Sequence, residues 1–136
     1  MGIAFSTLPL AVQARMKAMR GKGTVRKPEM NRGETSYRDH LEAQKRWGEI
    51  AEYWFELIKV RLADKTFYTV DFLVMLPDGA LEGHEVKGRK GKADGGETYW
   101  AEEDARIKIK VAAEVVPWPF FVVFPKRGGG WAKVEI

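Results

Sequence analysis

Three ionisable side chains stand on two neighbouring segments that the sequence predicts to be strands. Asp71 lies in an otherwise apolar stretch, and Glu85 and Lys87 follow it, two positions apart, after a short turn. A strand repeats every two residues, so Glu85 and Lys87 point to the same side of the sheet. Two carboxylates beside an ammonium group suit the binding of a divalent metal ion and the activation of a water molecule.

The turn between these strands indicates which residues face one another. The segment Pro77–Gly79 predicts a three-residue hairpin loop, with proline starting a type I turn and glycine in the left-handed conformation. Pairing Leu76 with Ala80 then places Asp71 opposite Glu85. Burying ionised groups costs roughly several kcal/mol each unless they are paired or bind a metal. We therefore interpret this group as functional.

Composition limits the class of protein. A chain of 136 residues with 45% hydrophobic and 31% charged residues is typical of one globular domain. The absence of cysteine excludes disulfides, thiol catalysis and cysteine-ligated zinc or iron–sulfur sites. No apolar run reaches the length of a membrane span and no signal peptide is evident, so we expect a cytoplasmic protein.

The charge is concentrated in part of the chain. The net charge of +4 favours an anionic partner. Basic residues are dense in residues 1–32, which we interpret as an N-terminal arm preceding a domain of residues 33–136. Arg26 and Lys27 of this arm are candidates for contact with nucleic-acid phosphates, and a solvated tail is the alternative.

The first part of the domain predicts a helix and three strands. A helix is expected over residues 34–47, with Tyr37 and Leu41 on successive turns and Gly48 at its end. Alternation and β-branched or aromatic residues place the strands at 58–62, 66–76 and 81–87. The middle strand is nearly all apolar after Val70, which predicts burial on both faces.

The second part predicts another helix and further strands. The helix is expected over residues 99–115, with Ile107 and Val111 facing inward. A short buried strand follows over residues 120–124, and residues 131–136 suit an edge strand. The element order is therefore αβββαβ. It indicates an α/β (α+β) fold in which helices flank a mixed central sheet.

This order, with an acid on the second strand and Glu-x-Lys on the third, resembles the PD-(D/E)XK nuclease superfamily, especially its small phage and prophage members. That pattern has an asparagine- or serine-led helix with an early glutamate, Tyr-Thr-Pro-Asp-Phe, Glu-Val-Lys-Gly and a lysine-bearing helix. The corresponding segments here are Asn31–Glu34, Tyr68–Phe72, Glu85–Gly88 and Asp104–Lys110. Val70 replaces the proline of the motif. In the family that proline shapes the entry to the strand and contacts no metal.

The resemblance implies a restriction-endonuclease-like core and a magnesium-dependent DNA endonuclease that hydrolyses phosphodiester bonds, with Mn²⁺ able to substitute. Asp71 and Glu85 would supply carboxylate ligands, and the Val86 carbonyl a further oxygen. Lys87 would orient or polarise the attacking water, or stabilise the charged transition state.

The resemblance also implies an acid from the first helix. Glu34 is the preferred candidate. Glu42, two turns later, is the rival, although a helical glutamate more often pairs with a neighbouring basic residue on a solvated face.

Other basic residues are candidates for DNA binding. Phosphate contacts give affinity that falls with salt and little sequence preference. The candidates in the loop over residues 88–96 and in the second helix are Arg89, Lys90, Lys92, Arg106, Lys108 and Lys110. Lys108 cannot share a helix face with the other two helical candidates. Trp100, next to the loop, is the tryptophan best placed for base stacking, with a place in the core or at its rim as the alternative.

Small single-domain members of this superfamily favour a structure-selective activity, such as that of a Holliday-junction resolvase. Such an enzyme would act on double-stranded or branched DNA as a homodimer, in a bacterium that carries the phage or prophage. A non-catalytic nucleic-acid-binding module of the same fold is the alternative, and an unrelated α+β protein is the third. His40 and His84 lack metal-ligand spacing, so an HNH-type site is not expected.

Overall fold

The computed structural model describes residues 9–13, 29–92 and 96–136, and it has an α+β fold. Helices α1 (Arg32–Arg46) and α2 (Glu103–Val115) accompany a mixed central sheet. The strands are β1 (Glu52–Phe55), β2 (Lys59–Ala63), β3 (Thr66–Thr69), β4 (Phe72–Met75), β5 (Leu81–Val86), β6 (Arg89–Gly91), β7 (Glu97–Tyr99), β8 (Phe120–Pro125) and β9 (Trp131–Glu135).

The central sheet has the strand order β1-β4-β5-β8-β9, so β5 lies in its middle. Strands β5 and β8 are parallel, and the other neighbours are antiparallel. Phe72 pairs with His84, and the Leu76 N–H donates to the Ala80 carbonyl at 2.8 Å. Gly79 has a φ of 91°, as the predicted turn requires. These contacts confirm the predicted hairpin and its register.

Helix α1 begins and ends at local signals that the sequence carries. Asn31 and Glu34 form a capping box, in which each side chain accepts a hydrogen bond from the other residue's backbone N–H. Trp47 is the C-cap, and Gly48 follows with a φ of 79°. The predicted helix is confirmed, with its start two residues earlier than expected.

Two hydrophobic cores lie on opposite faces of the sheet. Side chains of β4 alternate between them, which confirms the prediction that this segment is buried on both faces. The α1-side core consists of Tyr37, Leu41, Ile50, Phe72, Val74 and Val123. The α2-side core consists of Ile58, Val60, Tyr68, Val70, Leu73, Ile109, Ala112, Val116 and Phe120.

The prediction of one continuous strand over residues 66–76 was wrong, because the chain bends between β3 and β4. Strand β3 pairs with β2 in a separate two-stranded sheet, whereas β4 pairs with β1 and β5. Phe55 pairs with Phe72 and Lys59 with Thr69, so residues 56–58 lie opposite residues 70–71 alone. This extra residue acts as a bulge that turns both strands. The order αβββαβ therefore undercounts the strands.

The second helix was also predicted with the wrong start and the wrong inward face. Tyr99 pairs with Arg89 in the β6–β7 hairpin, so α2 begins only at Glu103. Ile107 is 56% exposed, while Ile109 and Ala112 are buried. Of this hairpin only Tyr99 had been assigned to the helix, whereas β6 lies in the predicted loop of residues 88–96, so part of that loop is a strand.

Part of the predicted arm contacts the domain. Residues 10–13 are helical, and Val12 packs against the α2-side core. Met30 packs against the α1-side core. Arg26 and Lys27 lie outside the described residues. Within the described ranges, none of the helices is long and apolar enough to cross a membrane.

Gly83 is required where β5 approaches β8. A Cβ atom at this position would lie 2.5 Å from Cε1 of the fully buried Phe120 ring. We expect Gly83→Ala to lower the free energy of unfolding by about 1–3 kcal/mol in a urea titration. Gly128→Ala is the matched control, because its Cβ would meet no atom within 4 Å. Equal losses in the two variants would contradict the explanation.

Candidate metal centre

Three carboxylates meet where α1 begins and where the β2–β3 sheet separates from the central sheet. Oxygens of Glu34, Glu56 and Asp71 all lie within 4.8 Å of one another. Glu34 is in the first turn of α1, Glu56 follows β1 in the bend, and Asp71 directly precedes β4. We call these three residues the acidic cluster. Carboxylates at this separation repel one another unless a proton or a cation lies among them.

Glu34 is positioned by the start of its helix. Its Oε1 accepts a hydrogen bond from the Asn31 N–H at 2.9 Å, and Oδ1 of Asn31 accepts one from the Glu34 N–H at 2.8 Å. The side chain is buried although it carries a carboxylate. The capping box thus holds this group next to the bend.

Glu56 is the member of the acidic cluster that the sequence analysis missed. Its φ is 47°, and its N–H donates to the Asp71 carbonyl at 2.9 Å. The left-handed conformation costs roughly 1–2 kcal/mol for a residue with a Cβ, and such strain concentrates at functional sites. The available signal was a single charge within the apolar stretch of residues 53–58.

Asp71 is the central member of the acidic cluster. Its Oδ2 accepts a hydrogen bond from the Val86 N–H at 2.9 Å. Burial and the neighbouring charge of Glu85 raise the pKa of Asp71 to about 9, although the Val86 hydrogen bond and Lys87 act in the opposite direction. The role predicted for the Val86 carbonyl oxygen stays a prediction.

Glu85 and Lys87 lie on the same side of β5, as the alternation predicted. The Lys87 Nζ is 3.4 Å from Oε1 of Glu85, and the Tyr68 hydroxyl donates to Oε2. Glu85 also shares a hydrogen bond with Asp71. Burial raises the pKa of Glu85, against the effect of these hydrogen bonds and of Lys87. Glu85 and Lys87 therefore adjoin the acidic cluster through Asp71.

The structure places Glu34 and Glu42, the two candidates for the acid on the first helix, in different surroundings. Glu34 joins the acidic cluster, whereas Oε2 of Glu42 accepts a hydrogen bond from the Tyr53 hydroxyl at 2.5 Å. That contact is exposed, and its partner is an aromatic hydroxyl instead of the expected basic neighbour. The geometry thus favours Glu34.

A buried polar chain occupies the other face of β5. The ring of His84 lies between the Tyr37 hydroxyl, 2.6 Å from Nδ1, and Glu82, 3.1 Å from Nε2. Lys133 donates to both Glu82 oxygens, at 2.6 and 3.0 Å. Burial lowers the pKa of His84, which suits a neutral ring that accepts from Tyr37 and donates to Glu82. His84 is therefore a buried residue whose two ring nitrogens both have hydrogen-bond partners.

The β6–β7 hairpin carries three of the basic candidates next to Lys87. Arg89 lies 3.9 Å from Glu97, and the Lys90 ammonium stands 4.5 Å from the centre of the Trp100 ring. Lys92 is exposed just after β6. The hairpin thus combines basic and aromatic side chains at one end of β5.

The basic candidates on α2 occupy two faces, as predicted. Arg106 lies over the Tyr99 ring at 5.9 Å, and it lines a small cavity together with Lys110. Lys108 is exposed. The contacts that the described ranges show for these three residues do not involve Glu34 or Asp71.

Comparisons of this chain with protein-family models, with curated proteins and with solved structures found no match. Support for a function therefore comes from the site geometry and from the order of the sequence motifs.

The burial of Asp71 and its repulsion by Glu85 predict a pH-dependent stability. Its pKa is raised in the folded state, so its stabilising contribution is complete below about pH 4 and is lost as the pH rises towards 9. With a chelator present, we expect Asp71→Asn to unfold with a free energy about 1–3 kcal/mol higher than wild type at pH 8, but nearly the same at pH 4.

Urea titrations across this pH range measure the difference. Asp64→Asn is the matched control, because that side chain is 84% exposed. An Asp71→Asn variant that is less stable than wild type at pH 8 would contradict the assigned repulsion.

Proposed function

We propose that this protein is a magnesium-dependent endodeoxyribonuclease of the PD-(D/E)XK superfamily, with a restriction-endonuclease-like core. One observation carries the proposal: the acidic cluster lies directly beside the Glu85–Lys87 ion pair. Concentrated carboxylates destabilise a fold when they have no cation, and a hydrolase that uses a metal needs them. The motif order provides separate support.

The donor set fits a hard divalent cation. Asp71, Glu85, Glu34 and Glu56 offer carboxylate oxygens, the ligands that Mg²⁺ and Mn²⁺ prefer. Neither histidine of the chain belongs to the acidic cluster, which disfavours a zinc site. A bound ion of this kind supplies charge stabilisation at the phosphate and lowers the pKa of a coordinated water.

The protein side chains would divide the remaining work. Asp71 and Glu85 would hold the ion together with Glu34 and Glu56, and the Tyr68 hydroxyl fixes the orientation of Glu85. Lys87 has a side chain 20% exposed, so its ammonium reaches both Glu85 and the surface. From this position it would orient the attacking water or stabilise negative charge that develops on the phosphate.

DNA is the substrate that the surrounding charge favours. Arg89, Lys90 and Lys92 lie on the hairpin that follows Lys87, where they would contact backbone phosphates without reading sequence. Within this class we propose branched DNA, such as a Holliday junction. Resolution needs two cuts, so two copies of the chain would act together. The bacterial cytoplasm, during phage or prophage growth, is the expected place of action.

A cleavage assay tests the proposal. Supercoiled, linear and four-way-junction DNA are incubated with the protein and either Mg²⁺ or EDTA. We expect cleavage with Mg²⁺ and none with EDTA. In Asp71→Ala and in Lys87→Ala the cleavage rate should fall at least about 100-fold, while DNA binding is retained. Asp64→Ala is the control that should cut normally.

Two results would contradict the proposal. DNA binding without metal-dependent cleavage would favour the non-catalytic nucleic-acid-binding module of the same fold. No affinity for DNA at low salt would favour an unrelated α+β protein.

A further inference from the structure

We propose that the cleft between Lys87 and Trp100 binds one unstacked nucleobase of the substrate strand. This inference rests on the proposed nuclease function. It identifies the substrate class as DNA that is single-stranded or unpaired beside the scissile phosphate. Branched and frayed duplexes supply such nucleotides, whereas an intact duplex would have to unstack first.

The cleft lies next to the residues proposed for catalysis. It has a volume of about 630 Å³ and is lined by Lys87, Trp100, Ala101, Glu102, Asp104 and Ala105. A volume in this range suits a small organic ligand. Lys87 lines the cleft and also pairs with Glu85, which adjoins the acidic cluster. An occupant of the cleft would therefore be separated from Glu85 only by the Lys87 side chain.

Trp100 presents a stacking surface that its backbone holds in place. Its side chain is 61% exposed, an unusual position for the largest aromatic residue. The Trp100 N–H donates to the Gly88 carbonyl at 2.8 Å, which ties the backbone at Trp100 to the residue after Lys87, and the ring lies 3.8 Å from where a Cβ on Gly88 would be. Lys90 stands over the ring, so the aromatic surface and a phosphate-binding charge occur together. Exposed aromatics beside basic groups characterise single-strand binding sites.

The acidic lining shows which part of a nucleotide suits the cleft. Glu102 and Asp104 would repel a phosphate, so the backbone would instead follow Arg89 and Lys90 outside. Carboxylates accept hydrogen bonds from the exocyclic amino groups of cytosine, adenine and guanine, which thymine lacks. The cleft should therefore prefer a base that carries an amino group.

Trp47 provides a matched comparison. It is 79% exposed, but it is the C-cap of α1, at the opposite end of that helix from Glu34. It is absent from the lining of the cleft. A general effect of removing an exposed tryptophan should therefore be the same at both positions, and an effect of the cleft should appear at Trp100 alone.

The test measures binding without cleavage. Fluorescently labelled oligo-dC and oligo-dT single strands are titrated with the full chain in EDTA, and anisotropy gives Kd. We expect tighter binding of oligo-dC by wild type. Trp100→Ala should weaken oligo-dC binding about tenfold, whereas Trp100→Phe should retain most of the affinity and Trp47→Ala all of it. The pair Glu102→Gln and Asp104→Asn, combined in one chain, should reduce the preference for oligo-dC.

Several results would overturn the proposal. These are wild-type affinity in Trp100→Ala, an equal loss in Trp47→Ala, or equal binding of the two oligonucleotides by wild type. If only the nuclease proposal is wrong, binding that depends on Trp100 would persist without metal-dependent cleavage. Metal-dependent cleavage with binding independent of Trp100 would instead reject only the base-binding cleft.

Discussion

The burial of Asp71 beside the carboxylates of Glu85 and Glu34 is the constraint on which the candidate site depends. A capping box holds the Glu34 carboxylate and the N–H of Val86 holds that of Asp71, while Glu56 has a left-handed backbone conformation. Unfavourable charge is therefore concentrated around Asp71, where the β2–β3 sheet separates from the central sheet, and a divalent cation would relieve it.

The two faces of β5 show how this constraint is confined. On one face, His84 and Glu82 form a buried chain with Tyr37 and Lys133, in which the buried polar groups have partners. On the other face, Glu85 meets Tyr68, Lys87 and Asp71, and its pKa remains raised by burial. One face of β5 thus carries a polar network whose buried groups have partners, whereas the other face carries Glu85, a carboxylate whose pKa stays raised. Groups whose pKa is shifted by burial and neighbouring charges are concentrated at functional sites.

Local signals in the sequence were sufficient for part of the fold and site. The Pro77–Gly79 turn determined the hairpin register, and strand alternation placed Glu85 beside Lys87, because both depend on neighbouring residues. Glu56 was missed because its position depends on a bulge. The bulge arises because the β1–β4 pair and the β2–β3 pair differ in register by one residue, which neighbouring residues in the sequence do not show. The start and the buried face of α2 were predicted wrongly for a related reason, since the β6–β7 pairing decides where that helix begins.

Calorimetric titration of the protein with Mn²⁺ tests the central claim most directly, because it needs neither DNA nor catalysis. If a cation relieves the repulsion, wild type should bind Mn²⁺ saturably. Glu56→Gln should bind it at least about tenfold more weakly, and Asp64→Asn should bind like wild type. Wild type that takes up no Mn²⁺, or a Glu56→Gln variant with unchanged affinity, would contradict the account.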